Sequence, residues 1–120
     1  MKGMSLNIVL RKPNKSDSKY IYNLVKDTGI LDVNSEYLYL LQSTHFRETC
    51  VVSEVNGDIC GFISGYVLPT NNKIFFVWQV GVDEKYKGQG IAGKMIEDIL
   101  DRKELSNITE IHTTISPSNT

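Results

Sequence analysis

Asn56-Gly57 sits between two runs of apolar and β-branched residues, and no other pair in the chain limits its folding so tightly. Both central residues of a two-residue hairpin turn need positive φ, which Asn and Gly tolerate best, so the pair predicts an antiparallel hairpin. Its arms cover about 49–55 and 58–67, with Val55 opposite Asp58, Ser53 opposite Cys60 and Cys50 opposite Ile63. In that register Cys50 and Cys60 do not meet. They form neither a CxxC pair nor a disulfide framework, and both read as small buried apolar residues.

The remaining elements follow from periodicity and punctuation. Residues 7–11 form a short branched-apolar strand that ends before Pro13. Ser16 and Asp17 offer caps for a helix to about Thr28, with Tyr20, Ile21, Leu24 and Val25 on one face and Gly29 as its stop. Residues 30–35 fit neither period; Asn34 or Ser35 can cap a second helix to about Phe46, whose apolar residues include Tyr37, Leu38, Leu41 and His45. After the hairpin, 69–72 make a turn, and 74–82 is a run apolar on both faces, which predicts a strand central in the sheet. A helix begins near Gly90 with Ile91, Met95, Ile96, Ile99 and Leu100 at helical spacing, and 108–115 is a last strand. The order β-α-α-β-β-β-α-β makes this an α/β chain.

With 120 residues, 41% of them apolar, 22% charged and a net charge of −1, the chain suits a single domain over 1–120. The near-neutral charge argues against a general nucleic-acid binder. No apolar run approaches the roughly 18 residues of a membrane span, and the N-terminus lacks the apolar stretch of a signal peptide. The expectation is a cytoplasmic protein without nucleic-acid or membrane partners.

The chemistry concentrates in 80–94, where glycines between a strand and a helix let backbone N–H groups approach an anion, with Lys85, Lys87 and Lys94 adding charge. Gly88, Gly90 and Gly93 match the dinucleotide fingerprint G-x-G-x-x-G, but five residues separate Val82 from Gly88, and Glu110 would start the next strand rather than end it. Gly88 to Lys94 also spells the first part of a nucleotide-hydrolase phosphate loop, yet Met95 stands where Ser or Thr must hold Mg²⁺, so that reading fails. A plain surface turn needs less glycine and lysine than this.

The whole stretch resembles the acetyl-CoA signature of the GNAT acetyltransferase superfamily. Lys87-Gly88-Gln89-Gly90-Ile91-Ala92 fits it, with Lys87 in place of the usual Arg or Gln. The resemblance implies a GNAT-like mixed sheet, with Val80, Gly81 and Val82 bonding the pantetheine arm through their backbone. It also implies that Lys87, Gly88, Gln89, Gly90, Ile91, Ala92 and Gly93 hold the pyrophosphate.

Outside the loop, 27–41, His45-Phe46, 49–52, Phe76-Val77-Trp78-Gln79-Val80 and 113–119 resemble the family of L-2,4-diaminobutyrate acetyltransferases of ectoine synthesis. The ending, including Asn119, is similar to the start of that family's later CoA-side motif. This resemblance implies acetyl transfer from acetyl-CoA to the 4-amino group of L-2,4-diaminobutyrate, no metal, and a homodimer. A substrate with two ammonium groups and a carboxylate needs acceptors and anions around it. Asp32, in the irregular segment, is the natural carboxylate, with Asn34, Ser35, Tyr37 and Tyr39 as neutral polar tips. Ser35 is equally suited to capping the second helix, and Tyr37 and Tyr39, two apart, face different ways, so only one reaches a pocket. Trp78 and Gln79 lie where the acetyl thioester is expected to end, and the backbone N–H near Val80 is the family-like group for polarising its carbonyl. His45 and His112 are too isolated for a relay and read as packing residues.

The superfamily fold normally continues with a helix and a closing hairpin, and its helix often carries a Tyr that protonates the leaving thiolate. The expectation from sequence is therefore a chain incomplete at its C-terminal end, inactive or weak without a partner to complete its sheet. Two other readings stay open: acetylation of another small diamine acid such as ornithine or lysine, and a non-catalytic acyl-CoA-binding module.

Overall fold

The computed structural model describes residues 7–29 and 34–113. Among them the order is β1 (Ile8–Arg11), α1 (Asp17–Thr28), α2 (Glu36–Thr44), β2 (Val51–Val55), β3 (Asp58–Leu68), β4 (Asn71–Val82), α3 (Ile91–Leu100) and β5 (Glu110–Thr113). Short 3-10 turns at Arg47–Thr49, Glu84–Tyr86 and Lys103–Leu105 join them. The α/β order expected from the sequence is therefore the observed one. The strands lie in chain order β1-β2-β3-β4-β5, antiparallel up to β4, and β5 is parallel to β4. β3 is the middle strand; β4, expected there, is its neighbour, interior but off-centre.

Asn56 (φ 55°) and Gly57 (φ 86°) make the expected turn, and Val55 faces Asp58. The register then departs from expectation. Glu54 faces Ile59 but Ser53 faces Gly61, which leaves Cys60 as an extra residue in β3 and puts Val51, not Cys50, opposite Ile63. The bulge lets Cys60 stay in the core, with its Sγ 3.3 Å from the Ser53 hydroxyl. Both cysteines are free and buried. Cys50 precedes β2 because Arg47–Thr49 turns as a 3-10 helix. Other boundaries shift by a few residues: α2 stops at Thr44, and Pro69-Thr70 alone turn the chain, so β4 starts at Asn71.

Helices cover both faces of the sheet. On one face α3 packs Ile91, Met95 and Ile99 against Val51, Ile63 and Phe75; on the other Ile21, Leu24 and Val25 of α1 and Tyr39 of α2 pack against Val52 and Phe62. Tyr20, expected on the buried face of α1, is 60% exposed, because the apolar stripe spans only 21, 24 and 25. α1 ends at Gly29 in the left-handed region, and Ser35 caps α2 by accepting from the Leu38 N–H. Asp17, at the start of α1, is tied to β1: its carboxylate takes two bonds from the Arg11 guanidinium, 2.7 and 3.0 Å, and one from the Asn14 N–H. Arg11 also pairs with Glu54 of β2.

Candidate functional site

A bulge in β4 shapes the site. Gln79 faces Ser64 of β3 and Val77 faces Gly65, so Trp78 is the extra residue. Along β4, pairing with the described part of β5 runs from Ile74–Glu110 to Val77–Thr113, and residues 79–82 pair with β3.

Beside that end of β4 opens a cleft of about 410 Å³, lined by Val80, Gly81 and Val82, by Tyr86, Lys87, Gly88, Gly90, Ile91 and Ala92, and by Thr28 at the end of α1. The loop is braced from both sides: the Asp83 N–H bonds the Cys60 carbonyl at 2.7 Å, and the Asp83 carboxylate accepts from the Lys85 N–H at 2.9 Å. Gly88 (φ 81°) and Gly90 (φ 75°) hold left-handed conformations, and a Cβ at either would meet nothing within 4 Å. These positions thus need glycine for its backbone and not for room.

Gly90 caps α3 without a side chain, so no cap oxygen competes for the first N–H groups of the helix, and its first turn carries no acid. The helix dipole and these amides favour an anion there. Lys87, exposed and 3.4 Å from Glu84, adds a positive charge at the rim. The site therefore offers an apolar strand edge leading to a cationic, amide-lined end, which suits an elongated ligand with an apolar arm and a phosphate group.

On the face of the sheet that packs against α1 and α2, Tyr39, fully buried, donates its hydroxyl to Gln79 Oε1 at 2.9 Å and packs its ring 6.0 Å from that of Trp78. The residues expected to hold a cofactor are thus gathered in one place: Val80, Gly81, Val82, Lys87, Gly88, Gly90, Ile91 and Ala92 line the cleft, while Gln89 and Gly93 sit exposed beside it. The residues expected around a substrate are less concentrated. Trp78, Gln79 and Tyr39 cluster. Asn34 is half-buried, the Ser35 hydroxyl is engaged as the helix cap, and Tyr37 is 66% exposed beside Lys15, Ser18 and Leu40. Asp32 and Asn119 lie outside the described residues. Sequence reasoning missed Thr28 and Tyr86 as cleft residues. Tyr86 stood in the glycine loop and could have been included; Thr28 reaches the cleft only because α1 packs beside β4.

The histidines are not packing residues as expected. His45 is exposed and lines a second groove of about 450 Å³ with Gln42, Phe46, Tyr66 and Pro69, and His112 is exposed, 3.1 Å from Glu110. That groove lacks free helix amides and glycine, so the β4 cleft is the better anion site. No group of three or more His, Cys, Asp or Glu that could hold a metal occurs among the described residues.

Comparison with known proteins agrees with this geometry. Residues 18–120 match the acetyltransferase (GNAT) family. The chain is 43% identical over 111 residues to an L-2,4-diaminobutyric acid acetyltransferase of Vibrio parahaemolyticus, covering 92% of this chain and 61% of that protein. It is 43% identical over 113 residues to its counterpart in Halomonas elongata, covering 93% and 59%. The chain thus spans about three-fifths of the length of these curated relatives. Among solved structures it resembles the diaminobutyrate acetyltransferase of Paenibacillus lautus, determined with L-2,4-diaminobutyric acid and coenzyme A, at a TM-score of 0.92 and 41% identity over 96% of this chain and 69% of that one. With a match to the family over residues 18–120 and relatives more than 40% identical over nine-tenths of its length, the chain belongs to the GNAT acetyltransferases.

Proposed function

We propose that the protein transfers the acetyl group of acetyl-CoA to the 4-amino group of L-2,4-diaminobutyrate, giving N4-acetyl-L-2,4-diaminobutyrate for ectoine synthesis. The observation that carries this reading is the match, at a TM-score of 0.92, to a diaminobutyrate acetyltransferase holding both coenzyme A and diaminobutyric acid. The protein acts in the cytoplasm as a homodimer, and its product serves osmoprotection.

Acetyl-CoA fits the cleft on three counts: Gly90 offers no competing cap, the first turn of α3 has no acid, and the two left-handed glycines leave open space. When bound, acetyl-CoA supplies the acyl group as a thioester. Gly88, Gly90, Ile91 and Ala92 would hold the pyrophosphate through backbone N–H groups, with Lys87 screening its charge, while the backbone of Val80, Gly81 and Val82 takes the pantetheine arm. In the reaction an N–C bond forms, the C–S bond breaks, the ammonium loses a proton and the thiolate gains one. A free primary ammonium with pKa ~10 must be neutral to attack, so the pocket has to bind the cation and still pass on its proton. The backbone N–H at Val80 polarises the carbonyl, and Trp78 and Gln79 flank the reacting end. Asp32 supplies the anionic contact to the substrate, Asn34 a polar contact, and Asn119 a further CoA contact.

The test is release of CoA thiol from acetyl-CoA by this chain and by a version extended at its C-terminal end, with diaminobutyrate, ornithine and lysine in parallel. Release with diaminobutyrate alone, strongest in the extended form, is expected. Equal release with ornithine or lysine would reassign the substrate, and CoA binding without acetylation of any amine would make the protein an acyl-CoA-binding module.

A further inference from the structure

Consecutive residues of a strand point to opposite faces of the sheet, yet the Trp78 ring and the Gln79 amide both meet Tyr39. The bulge at Trp78 makes this possible, since the extra residue breaks the alternation and turns two neighbours to one face. Val77 on one side of the pair packs into the α3 core, and Val80 on the other lines the cleft. The bulge therefore decides how the backbone at Val80 is presented to a ligand.

Tyr39 is the side chain placed to hold that bulge. It is 0% exposed, so it has no surface to offer a substrate. Its ring is packed on three sides, 6.2 Å from Tyr22, 6.4 Å from Phe62 in an edge-on contact and 6.0 Å from Trp78. A buried phenol hydroxyl must find an acceptor, and the Gln79 carbonyl oxygen supplies it at 2.9 Å. That bond fixes which end of the Gln79 amide faces α2.

We propose that Tyr39 is a positioning residue: it clamps Trp78 and Gln79 to α2, holds the β4 bulge, and through it sets the Val80 backbone against the acyl group. The proposal rests on the acetyltransferase reading and gives Tyr39 a role other than contact with the substrate. It also links α2, which follows the segment bearing Asp32, to the strand that carries the cofactor cleft.

The experiment is Tyr39→Phe, which keeps the ring and removes the hydroxyl. Trp78 is the only tryptophan, so its emission and its quenching by acrylamide report the clamp without any turnover. In the variant Trp78 becomes measurably more quenchable, kcat falls about 10- to 100-fold, and KM for acetyl-CoA stays within about twofold, as expected when positioning rather than binding is lost. Tyr39→Phe combined with Gln79→Leu costs little more than either change alone, because both break one contact. A residue that merely supports the fold would lower the melting temperature and leave kcat per folded molecule unchanged; that result, or full additivity in the double variant, overturns the proposal. If the wild type acetylates no amine, the functional reading falls, and the quenching still decides the clamp: no change in Tyr39→Phe refutes it.

Discussion

Asp17 shows how one carboxylate can join three pieces of chain. Burial by itself would push its carboxyl up, but the Arg11 guanidinium and the Asn14 N–H outweigh that and hold it below the ordinary value of 3.8. A carboxyl whose folded pKa is depressed stabilises the fold above its unfolded pKa, and that contribution is lost as pH falls through the folded value. Asp17→Asn is therefore expected to cost about 1–3 kcal/mol at pH 7 and almost nothing well below pH 4. Urea unfolding at the two pH values checks this, and an equal loss at both would contradict it. The thiols make a second case. Burial pushes Cys50 up to about 11, and Cys60 is raised for the same reason. Neither supplies appreciable thiolate at neutral pH, so a disulfide reagent such as Ellman's should label the native protein slowly and both cysteines at once after unfolding.

At the scale of elements, two glycines separate two reasons for the residue. In β3 a Cβ at Gly65 would lie 2.6 Å from the Phe76 carbonyl oxygen and 2.7 Å from the Phe75 ring, a clash with backbone and a packed core side chain. Gly65→Ala should cost about 1–3 kcal/mol by overpacking, with the β3–β4 pair bearing the strain. At Gly90 there is space but a φ of 75°, so Gly90→Ala pays only the left-handed penalty, about 1–2 kcal/mol. Its effect should instead show in ligand binding, because relaxing that φ turns the first amides of α3 away from the cleft. Calorimetric titration with CoA is expected to show weaker binding for Gly90→Ala and unchanged affinity for Gly65→Ala in its folded fraction. The reverse order would place the anion site elsewhere.

At the scale of the molecule, the described residues form one sheet with a helical layer on each face, and β3 contributes to both cores through Ile63 and Phe62. A shared strand couples the layers, so Trp78 emission on one side and far-UV circular dichroism should report a single unfolding transition. The cleft takes its walls from the contiguous end of β4, the loop after it and the start of α3, and from Thr28 at the distant end of α1, which only the folded chain brings beside them. CoA at about a hundred times its dissociation constant should therefore raise the unfolding free energy by about 2.7 kcal/mol. No stabilisation, with binding confirmed separately, would mean that the ligand also holds an unfolded or partly folded chain.

Local chemistry by itself determined the element order, the Asn56-Gly57 turn, the left-handed stop at Gly29, the cap at Ser35 and the glycine loop. Each depends on φ preferences or hydrogen bonds between residues close in sequence. It went astray where a partner far along the chain decides. The bulge at Cys60 comes from sheet packing and moved the cysteine register by one residue. The bulge at Trp78 broke a two-residue alternation that no neighbour in sequence announces. Tyr37 and Tyr39 are both aromatic residues on one helix, and only the packing of α2 on the sheet sends Tyr39 inward to Gln79 and leaves Tyr37 in solvent. Thr28 joined the cleft for the same reason. What the tertiary structure decided is therefore which side chains face one another across elements, because local propensity sets backbone conformation but carries no information about the angle at which a helix meets a sheet.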